Sequence, residues 1–377
     1  MFFVVKKNHK GHKEHTKHTR KINAESLTNW KNKISNHAQV GGIETSVLDN
    51  GAGRGTRIAW INTGTGLRYK VVIDRGMDIA DAFYNQHSLT WLSSRGIVPP
   101  QLFPDKGLNW LRTFAGGLLT TCGLSHAGGP ETDEFGERGL HGLISNIPAE
   151  IESIIQPDPA NGKLDMSITG IVKETQIFGP SLELKRTISG TIGKASIKIH
   201  DEVINRGNST APHMLLYHYN FGWPLVDEGT KIIWKGDWSP RDEQVDKRIF
   251  NNNNDFHRCP PPMKEHDGTG EDVVFVDIAA DDTGKCVAGL HNPELSLAVA
   301  LRFNKKQLPW FVNWQHWGNG EYVTGLEPAT TRPYGQAKAR SRNELIFLEP
   351  DEKRTYEMEL EILTAKKEIA DFEQLNG

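Results

Sequence analysis

The chain reads as an all-β protein, a large antiparallel β-sandwich with few short helices. Three observations predict this. Apolar and polar residues alternate over several runs; turn residues break those runs, with 37 Gly and 19 Pro among 377 residues; and no long amphipathic helical pattern follows residue 40. In order along the chain, "LRYKVVIDRGMDI" (67–79) is strand-like. "KASIKIHDEVINRG" (194–207) places Ile197 and Ile199 between Lys198 and His200. "LSLAVALRF" (295–303) follows the same style, and "YEMELEIL" (356–363) alternates strictly after "EPDEKR", which reads as a hairpin turn. Period-2 runs joined by short turns favour antiparallel sheets. No segment repeats at a fixed period, which argues against a propeller.

Residues 1–25 are a low-complexity basic tail, expected to be disordered. His9, His12, His15 and His18 recur there every third residue, a loose metal-binding pattern at most. "SLTNWKNKISNH" (26–37) has the signature of a short helix with Ser26 as N-cap. Residues 26–365 contain no linker-like stretch and are expected to form a single β-sandwich catalytic domain, with 366–377 a short C-terminal segment that could be helical. Charge is divided unevenly. Residues 1–40 carry nine Lys/Arg against two Asp/Glu, and the remainder 35 against 45. So acidic a body is a poor candidate for nucleic-acid binding through its main surface. Cys122, Cys259 and Cys286 stand far apart and form no CxxC pair, which implies reduced thiols and a cytoplasmic protein. "MFFVV" precedes the basic residues instead of following them, so it is not read as a secretory signal. No apolar run is long enough to span a membrane.

Three places set ionisable residues where a β-core would not want them. His141, in "GLHGL", lies between glycines that permit close backbone approach and could project into a cleft. His218 follows the apolar Met214–Leu216 stretch and sits among Tyr217, Tyr219, Asn220 and Phe221. There desolvation opposes its charged form and a nearby carboxylate would favour it. A satisfied core histidine is the competing reading, and His213 is a rival in the same stretch. Glu327 ends the apolar "YVTGLEP", and a buried, unpaired carboxylate is costly. The same tripeptide in "FLEPDEKR" puts Glu349 into a charged turn, so Leu-Glu-Pro alone decides nothing. Trp310, Trp314 and Trp317, with Trp223 elsewhere, offer flat apolar faces beside polar edges, as sugars require, although core packing explains at least half of them. There is no GxSxG, no Walker A, no Rossmann glycine run and no HExxH.

Taken together these motifs resemble the galactose mutarotase (aldose 1-epimerase) superfamily. The matching stretches, in family order, are Leu140-His141-Gly142, Pro212 with His218 and Phe221, Asp272-Val-Val-Phe275, and Leu326-Glu327-Pro328. The chain is most similar to the "aldose 1-epimerase family protein" branch, through "DRGMDIADA", "GGLLTTCGL", "GLHGLISNIPAE", "PHMLLYHYNFGWPL" and "YVTGLEPA". The resemblance covers roughly residues 39–365 and implies a galactose mutarotase-like supersandwich. It also implies a mutarotase that interconverts sugar anomers by acid/base ring opening. Glu327 would be the base at the C1 hydroxyl and His218 the acid at the ring oxygen, on opposite sides of one sugar. His141 and Asp272 would hold ring hydroxyls, and Trp314 or Trp317, with Trp223, would stack on the sugar. Arg75 or Arg138 would be the substrate-binding arginine.

This chemistry needs no cofactor and no metal. The expected partner is a small-molecule sugar, with no nucleic acid, no membrane, and a homodimer as the candidate assembly. A non-catalytic carbohydrate-binding protein, or an epimerase or lyase acting on a modified sugar, stays open on the same scaffold.

Overall fold

The computed structural model describes residues 33–101 and 105–375. The low-complexity tail and most of the helix expected over 26–37 lie outside the described residues. The described end of that segment shows one 3-10 turn at His37–Gln39.

Two antiparallel sheets carry the fold. One has 12 strands. Its main path runs Gly42–Val47, Arg57–Asn62, Leu67–Val72, Asp78–Tyr84, Leu119–Leu124, Ala211–Gly222, Glu321–Ala329, Trp310–Gly318, Asp272–Ile278 and Gly236–Pro240. The other has eight, in the order Lys231–Ile233, Lys285–Asn292, Leu297–Asn304, Lys353–Leu363, Ser196–Asn205, Ser181–Thr191, Asp165–Thr175 and Glu150–Ile155. The alternating runs of the sequence appear as strands, except that 67–79 is broken: Leu67–Val72 is a strand, 73–77 a turn, and the next strand starts at Asp78. "EPDEKR" is a turn but not a hairpin: Ile346–Leu348 before it pairs with Ala211–His213 in the first sheet, while Lys353–Leu363 after it joins the second. The α-helices among the described residues are Gln336–Ser341 and Lys366–Gln374. None of them is long and apolar enough to cross a membrane.

Side chains of successive strand residues point to opposite faces. Tyr69, Tyr217, Tyr219 and Phe311 of the first sheet therefore meet Ile168, Leu184, Ile199 and Leu301 of the second in one large core. Within that apolar layer lies a fully buried guanidinium. Arg186 donates to Asp201 from Nη2 at 2.7 Å and from Nε at 3.0 Å. Across the interface its Nη1 donates to Thr121 Oγ1 at 2.8 Å and Asp78 Oδ1 at 3.2 Å. Tyr217 completes the tie by donating its hydroxyl to Asp201 Oδ2 at 2.7 Å. Burial pushes the Asp78 carboxyl up to about 6, against the pull of Arg186.

Removing one partner of a buried ion pair strands the other charge and costs about 3–5 kcal/mol. Asp201→Ala should therefore lower the urea midpoint sharply. Lys185→Ala, which breaks an exposed pair with Glu152, should leave it essentially unchanged.

Candidate active site

On the outer face of the first sheet, three neighbouring strands present a second set of side chains. Leu216 pairs with Ala329 and Tyr219 with Leu326, so His218 and Glu327 stand directly opposite each other. Val312 lies beside Glu327 on the next strand. His218 Nδ1 is 3.3 Å from Glu327 Oε1, and both are buried atoms without a hydrogen-bond partner among the described residues. Gly325, two residues before Glu327, makes this possible: a Cβ there would lie 2.3 Å from Oε1.

The pair forms part of the wall of a cavity of about 560 Å³. Both side chains are almost fully buried, 7% and 3% exposed, and burial sets their protonation. It pushes the Glu327 carboxyl well above the usual carboxylate range, with Glu271 adding to the effect and Arg241 opposing it. It pulls the His218 imidazole down to about 4. Burial thus keeps the imidazole neutral at neutral pH and favours the neutral form of the carboxyl facing it. The side chains were expected on opposite sides of a sugar. They stand side by side on one wall.

His141 also lines the cavity, its ring 5.9 Å from that of His218. Its backbone is left-handed, at φ 60°. The following Gly142 lies so close to the strand beneath that a Cβ would come within 2.7 Å of the Gly123 carbonyl. Gly128 donates its N–H to His141 Nδ1 at 3.3 Å. With burial and His218 holding the imidazole neutral, Nε2 carries the hydrogen. Trp314 lines the cavity too. Its ring is 5.3 Å from His218, and its Nε1 donates to Glu271 Oε2 at 2.9 Å.

The other expected substrate contacts lie elsewhere. Trp317 is three residues from Trp314 on the same strand, so it faces the core and is 0% exposed. Asp272 faces the core for the same reason, out of phase with Phe275. Its Oδ2 meets His266 Nε2 at 2.8 Å and Arg248 Nε at 3.3 Å. Arg75 is capped by the carbonyls of Ser145, Val98 and Thr113, away from the cavity. Arg138 pairs with Glu131 and Asp133. Trp223 lies past the end of its strand, 68% exposed. His213 is a satisfied core histidine, with Leu124 O at 2.9 Å and Tyr356 OH at 2.7 Å.

The cavity's arginine is Arg241, which donates to Glu271 Oε1 at 2.6 Å. Both come from stretches without periodicity. The position of Glu271, one residue before a core-facing Asp272, was the available signal. Trp91, Trp110 and Phe114 were also missed.

A family model described as a domain of unknown function, DUF4432, matches residues 53–362. No curated protein sequence matches the chain. Among solved structures, a Klebsiella pneumoniae protein provisionally named an aldose 1-epimerase superposes with a TM-score of 0.81 at 24% identity, over 94% of this chain and 90% of that one. A galactose mutarotase-like protein from Clostridium acetobutylicum gives 0.59 at 13% identity, over 86% and 98%. A galactose 1-epimerase from Lactobacillus acidophilus gives 0.55 at 12% identity, over 85% and 98%. The fold is therefore the galactose mutarotase-like one.

Because burial and not the carboxylate depresses His218, its imidazole should titrate near 4 by NMR both in the native chain and in Glu327→Gln. A midpoint near the ordinary 6.5 in either would show a solvated ring.

Proposed function

The chain belongs to the DUF4432 family, and from the geometry of its cavity we propose that it is an aldose 1-epimerase-like isomerase acting on an uncharged reducing sugar. The observation that carries this reading is the contact between two buried, oppositely tuned proton carriers on one cavity wall. A reducing sugar bears its anomeric hydroxyl and its ring oxygen on the same carbon. Acid and base for ring opening can then act from one wall, side by side, as His218 and Glu327 stand.

Proton flow follows from the resting form. His218 Nδ1 is turned to the carboxyl, which leaves Nε2 for the ligand. Glu327 passes its proton to Nδ1 while Nε2–H protonates the ring oxygen. The carboxylate so formed takes the C1 hydroxyl proton. The C1–ring oxygen bond breaks, and C1 becomes an aldehyde. Rotation about C1–C2 and the reverse transfers close the ring on the other face. Every proton is returned, and no net charge enters the buried site. Resting neutrality lowers the desolvation cost that a standing ion pair would carry there. His141 Nε2–H and Arg241 are placed to hold ring hydroxyls, and Trp314 offers a face for the sugar's C–H side.

An uncharged substrate fits the charges. Among the described residues lining the cavity, Arg241 is the only Arg or Lys, and Glu271 and Asp246 already engage it. A phosphorylated sugar would need an unpaired cationic pocket.

The test is anomer exchange in freshly dissolved α-anomers of a panel of sugars, followed by polarimetry or NMR. Glu327→Gln and His218→Asn should each slow it by about 10²–10⁴-fold. If both variants keep full acceleration, these roles are wrong. Gly325→Ala, whose methyl displaces the carboxylate, should lower kcat with little change in folding. The rate should hold across neutral pH and fall only as pH drops through about 4, where His218 gains a second proton, or rises far enough to ionise Glu327. Loss of rate through 6.5 would contradict the resting form.

A further inference from the structure

The cavity is larger than one sugar ring needs, and its lining is uneven. Arg241, Thr269, Glu271 and His316 line it near Trp314, together with the apolar Val273, Phe275 and Tyr334. A further part comes from one segment, "LNWLRTF" (108–114), which presents only apolar side chains to the cavity. Leu108, Trp110, Leu111 and Phe114 line the cavity. The polar residues of the segment are used elsewhere. Arg112 Nε donates to Asn109 at 3.3 Å, and Thr113 Oγ1 donates to Trp110 O at 3.3 Å. The indole of Trp110 spends its only donor on Ser145 Oγ at 3.1 Å, away from the cavity. Trp110 and Phe114 stack at 4.3 Å and lie 6.3 and 5.6 Å from the His218 ring. This apolar part thus begins at the reacting end and runs out to Leu108 and Leu111, which are 59% and 50% exposed.

Trp110 and Phe114 can take the C–H face of a ring, but the hydroxyls of a bare hexose would lose water against Leu108 and Leu111 without gaining a partner. Those of a second sugar ring would do the same. A sugar that is polar at one end and apolar at the other leaves neither part unmatched. Resting on the reading above, we infer that the substrate is a reducing sugar carrying an apolar substituent away from C1, with the substituent seated on Leu108, Trp110, Leu111 and Phe114.

The test compares binding of glucose and galactose with that of their 4-O- and 6-O-benzyl derivatives and of maltose, by calorimetry on the full chain. At least one benzyl sugar should bind about tenfold or more tightly than its parent, since an aromatic group gains that much on burial. The double variant Leu108→Ser/Leu111→Ser should erase most of that gain while the parent sugar's affinity stays the same. The inference is overturned if no benzyl sugar outbinds its parent, if maltose outbinds them all, or if the gain survives the double variant. It is also overturned if that variant only converts a dimer to a monomer. Anomer exchange is scored separately. A binding gain without exchange of any sugar would keep the apolar subsite and sink the mutarotase reading. Exchange of the bare sugars without a gain would do the reverse.

Discussion

Arg186 is the constraint on which the placement of the cavity depends. A guanidinium cannot lose its charge under any ordinary condition, so once buried it must be matched by fixed acceptors. Here those acceptors come from both sheets: Asp201 from one, Asp78 and Thr121 from the other. Tyr217 is bonded to the same cluster. A one-residue slip of the Tyr217 strand would aim that hydroxyl away from the core and His218 into it. The polar tie between the sheets therefore helps to hold the register that puts the imidazole on the outer face, opposite Glu327.

The outer face accepts a carboxyl because the carboxyl need not be charged. Glu349 and Glu327 occupy the same tripeptide, and only the second is buried, at 3% exposure. The difference lies in what surrounds them. Glu349 sits in a charged turn, its Oε2 accepting from Thr210 at 2.9 Å. Glu327 has His218 on one side, and the empty side-chain position of Gly325 leaves space for its oxygen. Burial raises one group and lowers the other, so that both facing side chains favour their neutral forms. Such a pair is at once a proton donor and a proton acceptor.

Alternation made the sheets legible, and the resemblance in short motifs made His141, His218 and Glu327 legible. Trp314 also reached the cavity. The misplaced residues share a cause that the period-2 rule itself exposes. Trp314 and Trp317 are three apart on one strand, as are Asp272 and Phe275, and residues three apart face opposite ways. Of each pair only one can line the cavity, and the core takes the other. Arg75 and Trp223 fail differently: one is enclosed by loop carbonyls and the other lies beyond its strand's end. Arg241, Glu271 and Trp110 come from irregular segments, where no pattern relates position to direction. Their convergence is a product of chain topology, which short motifs do not encode. The "EPDEKR" turn shows the same limit, since it reads as a hairpin and yet carries the chain from one sheet to the other.

The irregular segments also supply the most exposed apolar part of the cavity lining, Leu108 and Leu111. The sheet contributes the proton carriers and a rigid floor, and strands fix direction well. The loops over it supply much of the remaining lining. The segment 108–114 has no alternation, and its apolar residues at 108, 110, 111 and 114 follow a turn's spacing instead of a strand's. Changing the outer Leu108 or Leu111 would leave the His218–Glu327 pair in place, whereas Trp110 and Phe114 lie 6.3 and 5.6 Å from the His218 ring and help to bury it. On the proposed reading, the proton carriers depend on the register of three strands, and the outer apolar residues Leu108 and Leu111 on a loop that the register does not control.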